Sequence, residues 1–253
     1  MRPAARTTYV ALNRAIYGTA RRGYGAMRYR GTEVLCPCCG WTGREFLPNR
    51  GRSNCICPKC GSLERHRFLS LHIAKQTRAL GESPRILHFA PESMLSHQLK
   101  QLPGSSYVTT DLVQSGVDIK MDITDIQFND GTFDCVICSH ILEHIPDEVQ
   151  AISELHRILA PGGFALILVP IYRTPHGTTI EDSSVMTAKD RLRLYGQVDH
   201  VRKYGCDFDK RLAVVDWQIA KYSPQDLDEE LVRKYGLVSQ DGVRREIIHQ
   251  CTR

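Results

Sequence analysis

The sequence predicts an α/β protein: a largely parallel, Rossmann-like sheet preceded by a small cysteine-rich module. Three observations carry this. From Pro84 onward, short apolar and β-branched runs recur: RILHFA (85–90), YVTTD (107–111), VDIKM (117–121), FDCVICS (133–139) and FALILVP (164–170). Helix-like stretches separate several of them, most clearly 92–102 and 146–159. Near-continuous apolar strands alternating with helices fit a parallel sheet covered on both faces. Ahead of these runs, six of the ten cysteines crowd between Cys36 and Cys60.

The elements follow in chain order. Residues 1–32 form an arginine-rich arm, with seven arginines and no acid, while the remainder carries 26 Lys and Arg against 28 acids. Tyr9, Leu12, Ile16 and Ala20 recur at helical spacing before Gly23, Gly25 and Gly31 break the pattern. Such an arm suits a helix packed on the body, or a peripheral contact with a membrane surface or an anionic protein partner. An acid-free, arginine-rich start also has the composition of an organelle transit peptide. The near-neutral body argues against a nucleic-acid surface spread over the whole protein. No run of 18 apolar residues is present and the start lacks a secretory pattern, so the expected location is cytoplasmic.

Residues 33–62 hold CPCCGW and CPKCGS. Cys36, Cys39, Cys57 and Cys60 make two C-x2-C pairs separated by 17 residues, which is zinc spacing. Gly40 and Gly61 follow the pairs, where a small residue lets backbone N–H groups turn toward thiolates. Four thiolates leave no open position, so the metal is expected to be structural Zn2+, with rubredoxin-like iron as the alternative. Clustered cysteines of this kind also point to a reducing compartment. A connecting helix is expected within 63–83, beginning LERHRFLSLHIAK.

The first strand of the sheet runs into HFAPES instead of a glycine-rich turn, which argues against a dinucleotide pyrophosphate. About 20 residues on, the second strand ends in Asp111, placed to accept hydrogen bonds from a ribose diol. Asp122 follows the third strand in MDITD. Next come FDCVICSHILEHIPD and LHRILAPGGFALILVP. This order resembles the class I S-adenosylmethionine-dependent methyltransferases, specifically over about 84–172 and more loosely to residue 253, and those last two segments resemble the small-molecule branch.

The resemblance implies a seven-stranded sheet whose last strand, REIIHQC (245–251), is antiparallel. It implies that Phe89, Ala90, Pro91 and Glu92 face the methionine part of S-adenosylmethionine, and that Asp111 holds the ribose. It places Asp122 and Ile123 at the adenine and has Ser139 and His140 line the pocket. His88 and the Ala-Pro-Glu turn depart from the acidic residue and Gly-x-Gly usual in the family. The cofactor carries no phosphate, so a glycine cradle is not required.

Between the fifth and last strands lies a polar insertion at about 173–212. It is expected to overhang the pocket, with Glu181, Asp182, Asp199, His200, Arg202, Tyr204 and Asp207 as candidates. Imidazole titrates near neutrality, so His200 is the candidate base, and Glu181, Arg202 and Tyr204 are candidate substrate contacts. The alternative is a structural salt-bridge network through Asp199, His200 and Arg202. The reading is methyl transfer to the oxygen or nitrogen of a small-molecule or glycan-type acceptor. Alternatives are a zinc-ribbon RNA methyltransferase, whose arm would meet phosphates, and a non-catalytic interaction protein on the same fold.

Overall fold

The computed structural model describes residues 27–49, 52–76, 80–238 and 244–253. The arginine arm therefore lies almost wholly outside the described residues. The chain forms two compact units: Met1–His72 with Leu227–Gln240, and Ile73–Asp226 with Asp241–Arg253.

The first unit holds two antiparallel pairs, β1 (Val34–Leu35) with β2 (Thr42–Gly43) and β3 (Leu47–Asn49) with β4 (Arg52–Ile56). Cys36 follows β1, and Cys57 follows β4. Helix α1 (Glu64–Gln76) begins just after the second cysteine pair. A short helix from much later in the chain, Glu229–Tyr235, belongs to this unit. The sequence reading placed everything from 84 to 253 in the sheet domain, so this is a correction. The physical reason is Arg67. Its guanidinium is fully buried and donates to the carbonyls of Cys55, Ser62, Tyr235 and Gly236. It also stacks 3.8 Å over the Phe46 ring.

The second unit is built on one seven-stranded sheet. Its strands in chain order are β5 (Arg85–Phe89), β6 (Ser106–Asp111), β7 (Ile119–Lys120), β8 (Phe133–Ser139), β9 (Leu159–Tyr172), β12 (Gln218–Tyr222) and β13 (Arg244–Thr252). The spatial order is β7-β6-β5-β8-β9-β13-β12. All neighbours from β7 to β9 are parallel, and β13 is antiparallel to both β9 and β12. The antiparallel last strand thus falls where the resemblance placed it. The apolar runs are buried on both faces: Leu87, Val136, Ile137, Leu166, Ile167 and Val169 are all 0% exposed. Each such side chain contributes roughly 1.5–3 kcal/mol of transfer free energy. The Pro-Gly-Gly turn expected before the fifth strand is instead a bulge within β9, where the register against β8 shifts between Phe133 and Cys135.

Helix α2 (Ser93–Leu99) connects β5 to β6, and α3 (Glu148–Arg157) connects β8 to β9. Asp147 caps α3 by accepting from the Gln150 amide at 3.0 Å. The insertion contributes a two-strand ribbon, β10 (Ile180–Glu181) with β11 (Arg202–Lys203), and two short helices, α4 (Ala188–Tyr195) and α5 (Phe208–Leu212).

What fixes the insertion is Arg202, itself 1% exposed. It donates to the carbonyls of Leu142, Ile145 and Pro146, and to Glu181 Oε1 at 2.6 Å. Arg211 bonds both Glu181 and Glu148, and the buried Tyr204 hydroxyl donates to Glu148 Oε2 at 2.6 Å. Arg202 therefore spends its polar atoms on Glu181 and the backbone, Glu181 on Arg202 and Arg211, and Tyr204 its hydroxyl on Glu148. Read from the sequence as substrate contacts, they form a structural network instead, because the 142–146 turn has carbonyls that need donors and Arg202 supplies them.

Two stability predictions follow from this packing. Arg202→Ala removes the cation from buried carboxylates and carbonyls, and should cost about 3–5 kcal/mol in urea unfolding. An unchanged midpoint would disprove the clamp. The second concerns His249 of β13, 2% exposed, with Nδ1 unbonded among the described residues and its ring edge-on to Phe208. Burial pushes this imidazole down to about 4 from its ordinary 6.5. Between those values the unfolded chain binds a proton that the native state refuses. Stability is therefore full above the ordinary value and falls as pH drops toward the folded one, by about 3 kcal/mol in all. His249→Phe should flatten that part of the pH–stability curve, and an identical slope in the variant would refute the assignment.

Candidate functional site

The carboxyl ends of β5, β6 and β8 open into one cleft with a volume of about 530 Å³. This is where ligands bind in open α/β sheets. Six of the residues expected at the cofactor line it, Phe89, Ala90, Asp111, Asp122, Ile123 and His140, as does Asp199, a candidate of the insertion. Pro91, Glu92 and Ser139 lie beside it in sequence without forming its wall.

The floor is the turn after β5. Ala90 has φ +47, in the left-handed region where glycine is usual. Its amide donates to the Thr110 carbonyl at 2.8 Å, tying the turn to β6. Holding alanine there costs of order 1–3 kcal/mol, a strain that concentrates at functional sites. His88 explains how the turn keeps its shape. The imidazole is fully buried, with Nε2 3.1 Å from Glu92 Oε2 and Nδ1 2.9 Å from the Tyr107 hydroxyl, which in turn donates to Ser96 Oγ. Glu92 is thus held by the residue that replaces the family's acidic one.

The two aspartates are set in the same way. Asp111 Oδ1 accepts from the amides of Val113 and Gln114 at 2.6 and 2.5 Å. Asp122 Oδ1 accepts from the amide and hydroxyl of Thr124 at 2.9 and 2.8 Å. In each carboxylate one oxygen is fixed by the loop that follows. The other oxygen makes no hydrogen bond among the described residues. Leu112 and Val113, beside Asp111, line the cleft and remain 62% and 86% exposed. Large apolar side chains left open at a concave site are surface that a ligand covers.

The opposite wall comes from the turn after β8. His140 has φ +56 and stands between two carboxylates, 3.3 Å from Glu143 through Nδ1 and 3.3 Å from Glu246 through Nε2. Burial alone would raise the Glu143 carboxyl. The His140 hydrogen bond, with the charges of His140 and His144, outweighs it and holds the group below the ordinary carboxylate range. His144 also lines the cleft, 3.4 Å from Asp199 of the insertion.

His200, the sequence-predicted base, is 1% exposed and is not in the cleft wall. Its ring packs edge-on against His144, 4.7 Å between centroids. Neither ring nitrogen has a hydrogen-bond partner among the described residues, and burial lowers its proton affinity. The cleft residues that the sequence reading missed are chiefly the apolar Leu112, Val113, Met121, Ile141 and Ile145. They lie next to residues it did find. A loop position directly after a site carboxylate was the available signal.

In the first unit, the thiols of Cys36, Cys39, Cys57 and Cys60 lie within 4.8 Å of one another. Gly40 and Gly61 adopt φ +69 and +78, and their amides donate back to the carbonyls of Cys36 and Cys57. Each pair is therefore a closed knuckle with both sulfurs on one side. Cys38 and Cys55 are engaged elsewhere, on the His66 carbonyl and on Glu64. That resolves which cysteine of the first pair belongs to the cluster.

Comparison with known proteins points the same way. Residues 92–167 match a family model described as a methyltransferase domain. A ubiquinone biosynthesis O-methyltransferase of Xanthomonas oryzae pv. oryzae is 31% identical over 145 residues, covering 57% of this chain and 55% of that protein. A ubiquinone/menaquinone biosynthesis C-methyltransferase of Klebsiella pneumoniae is 32% identical over 97 residues, covering 38% of this chain and 36% of that protein. The chain thus spans about half the length, or less, of these curated relatives. The solved structure of the 4+2 cyclase SpnF aligns with a TM-score of 0.52 at 15% identity, over 82% of this chain and 86% of that one. A shared fold at this identity says nothing about the reaction. The strand order, the cleft and the matched segment together give this chain the class I S-adenosylmethionine-dependent methyltransferase fold.

Proposed function

We propose that this protein transfers a methyl group from S-adenosylmethionine to an oxygen of a small-molecule acceptor, a glycan-type hydroxyl being one such acceptor. The observation that carries this reading is the cleft floor. Two carboxylates, Asp111 and Asp122, are each fixed through one oxygen, beside a turn that has no phosphate cradle. That donor set suits a ligand with a ribose and an adenine but no pyrophosphate. In this reading Asp111 takes the ribose hydroxyls, and Asp122 with Ile123 takes the adenine. The 89–92 turn receives the amino-acid end, with Ser139 and His140 on the far side. When bound, the cofactor supplies an electrophilic methyl group on a sulfonium. The protein's own task is to hold and orient the two reactants and to exclude water. The matched O-methyltransferase supports oxygen as the acceptor atom.

We also assign Cys36, Cys39, Cys57 and Cys60 as ligands of a structural zinc ion in a ribbon spanning about 33–62. Four thiolates complete a tetrahedral shell, so this metal stabilises the first unit and takes no part in methyl transfer.

Calorimetric titration tests the first assignment. Wild type should bind S-adenosylmethionine and S-adenosylhomocysteine, and Asp111→Ala should weaken both roughly a hundredfold by removing a charged acceptor from two hydroxyls. If wild type binds neither, the methyltransferase reading is wrong. For the ribbon, a thiol-blocking mercurial should release zinc from the purified protein, and hydrogen exchange should then lose protection around β1–β4 while the sheet keeps it. Zinc release without that loss would contradict a structural role.

A further inference from the structure

One cluster with no assigned role adjoins the cleft through His144. Glu143 and His144 sit on the single 3-10 turn Leu142–His144, and the amide of Val201 donates to the Glu143 carbonyl at 2.9 Å. That bond brings His200 alongside. One ligand atom from each of Glu143, His144 and His200 lies within 4.8 Å of the others. Three buried polar atoms here have no hydrogen-bond partner among the described residues: Glu143 Oε2 and both ring nitrogens of His200. An unsatisfied buried polar atom costs about 1–3 kcal/mol. Three at one spot need a physical account, and no described side chain supplies one.

We infer that Glu143, His144 and His200 bind a divalent cation of the Zn2+, Mn2+ or Co2+ kind. Two imidazoles and one carboxylate are a recognised ligand set for such ions and leave coordination positions open. Metal–ligand bonds of about 2.0–2.2 Å place ligand atoms roughly 3–3.5 Å apart, so the cluster needs only small side-chain rotations to close. The second contacts are present as well. His140 bonds the other oxygen of Glu143, and Asp199 bonds the Nδ1 of His144, each orienting a ligand as outer partners of metal sites do.

His144 also lines the cofactor cleft, so the proposed metal site adjoins it. There the ion would take a hydroxyl of the acceptor and lower its pKa, and the released proton would pass to solvent. This role rests on the methyltransferase reading, whereas the metal site itself does not. It makes His200 a metal ligand and not a base.

The test is a titration of the zinc-ribbon protein with Mn2+, followed by electron paramagnetic resonance, since Mn2+ avoids thiolates. Wild type should show one saturable site. His200→Ala, His200→Asn and Glu143→Gln should each weaken it at least tenfold while circular dichroism stays native. Absence of saturable binding in wild type overturns the proposal, whatever the variants do, and so does equal binding in the folded variants. The same samples are titrated with S-adenosylmethionine. Metal bound without cofactor would sink the methyl-transfer reading alone, and cofactor bound without metal would sink this site alone.

Discussion

The arrangement of the site depends on one buried cation. Arg202 has its guanidinium surrounded by three carbonyls of the turn after β8 and by Glu181 of the insertion. A desolvated charge is tolerated only when nearly every donor has a partner, and that demand makes the geometry exact in register. Because the turn and β11 are locked by the same group, His144 from one and Asp199 from the other meet at the cleft wall. Glu148 and Tyr204 extend the lock to the first turn of α3. The insertion thereby contributes Asp199 to the lining of the cleft.

The floor solves a different problem. A ligand with no phosphate gives a glycine-rich cradle nothing to bind, yet the backbone must still turn sharply after β5. Here the turn is made by alanine in a left-handed conformation, held by the Thr110 carbonyl on one side and the His88–Glu92 pair on the other. Ala90 pays in backbone strain for a small side chain where the ligand comes close. His88 takes a strand position whose side chain is wholly buried, and a histidine there can be satisfied at both nitrogens only because Tyr107 and Glu92 stand at opposite ends of its ring.

Much of this was legible in the sequence. Strands β5 and β8 followed from apolar runs that are buried on both faces, and six of the residues that line the cleft followed from the resemblance. The clustering of Cys36, Cys39, Cys57 and Cys60 followed from their spacing. What stayed hidden depends on long-range partners. Arg202 and Tyr204 read as candidate substrate contacts because nothing local shows that the carbonyls of 142–146 need donors. Strand β12 is short, with QIAKY mostly exposed, so it carries no buried apolar run and exists through its pairing with β13. The capture of residues 227–238 by Arg67 joins groups almost 170 residues apart, and no periodicity records it.

That capture also bears on how the protein can be taken apart. Cysteine-rich modules of this kind are often treated as detachable beads, joined to a larger domain at one point. Here the module is made from two stretches of chain, and the chain leaves the sheet after β12 and returns to it as β13. A single cut after α1 would separate Arg67 from two of its four carbonyls, those of Tyr235 and Gly236, and leave a naked guanidinium inside a small core. A graft of this module onto another protein must therefore carry both stretches, and gene fusions that shuffle modules by their ends will find this one hard to move.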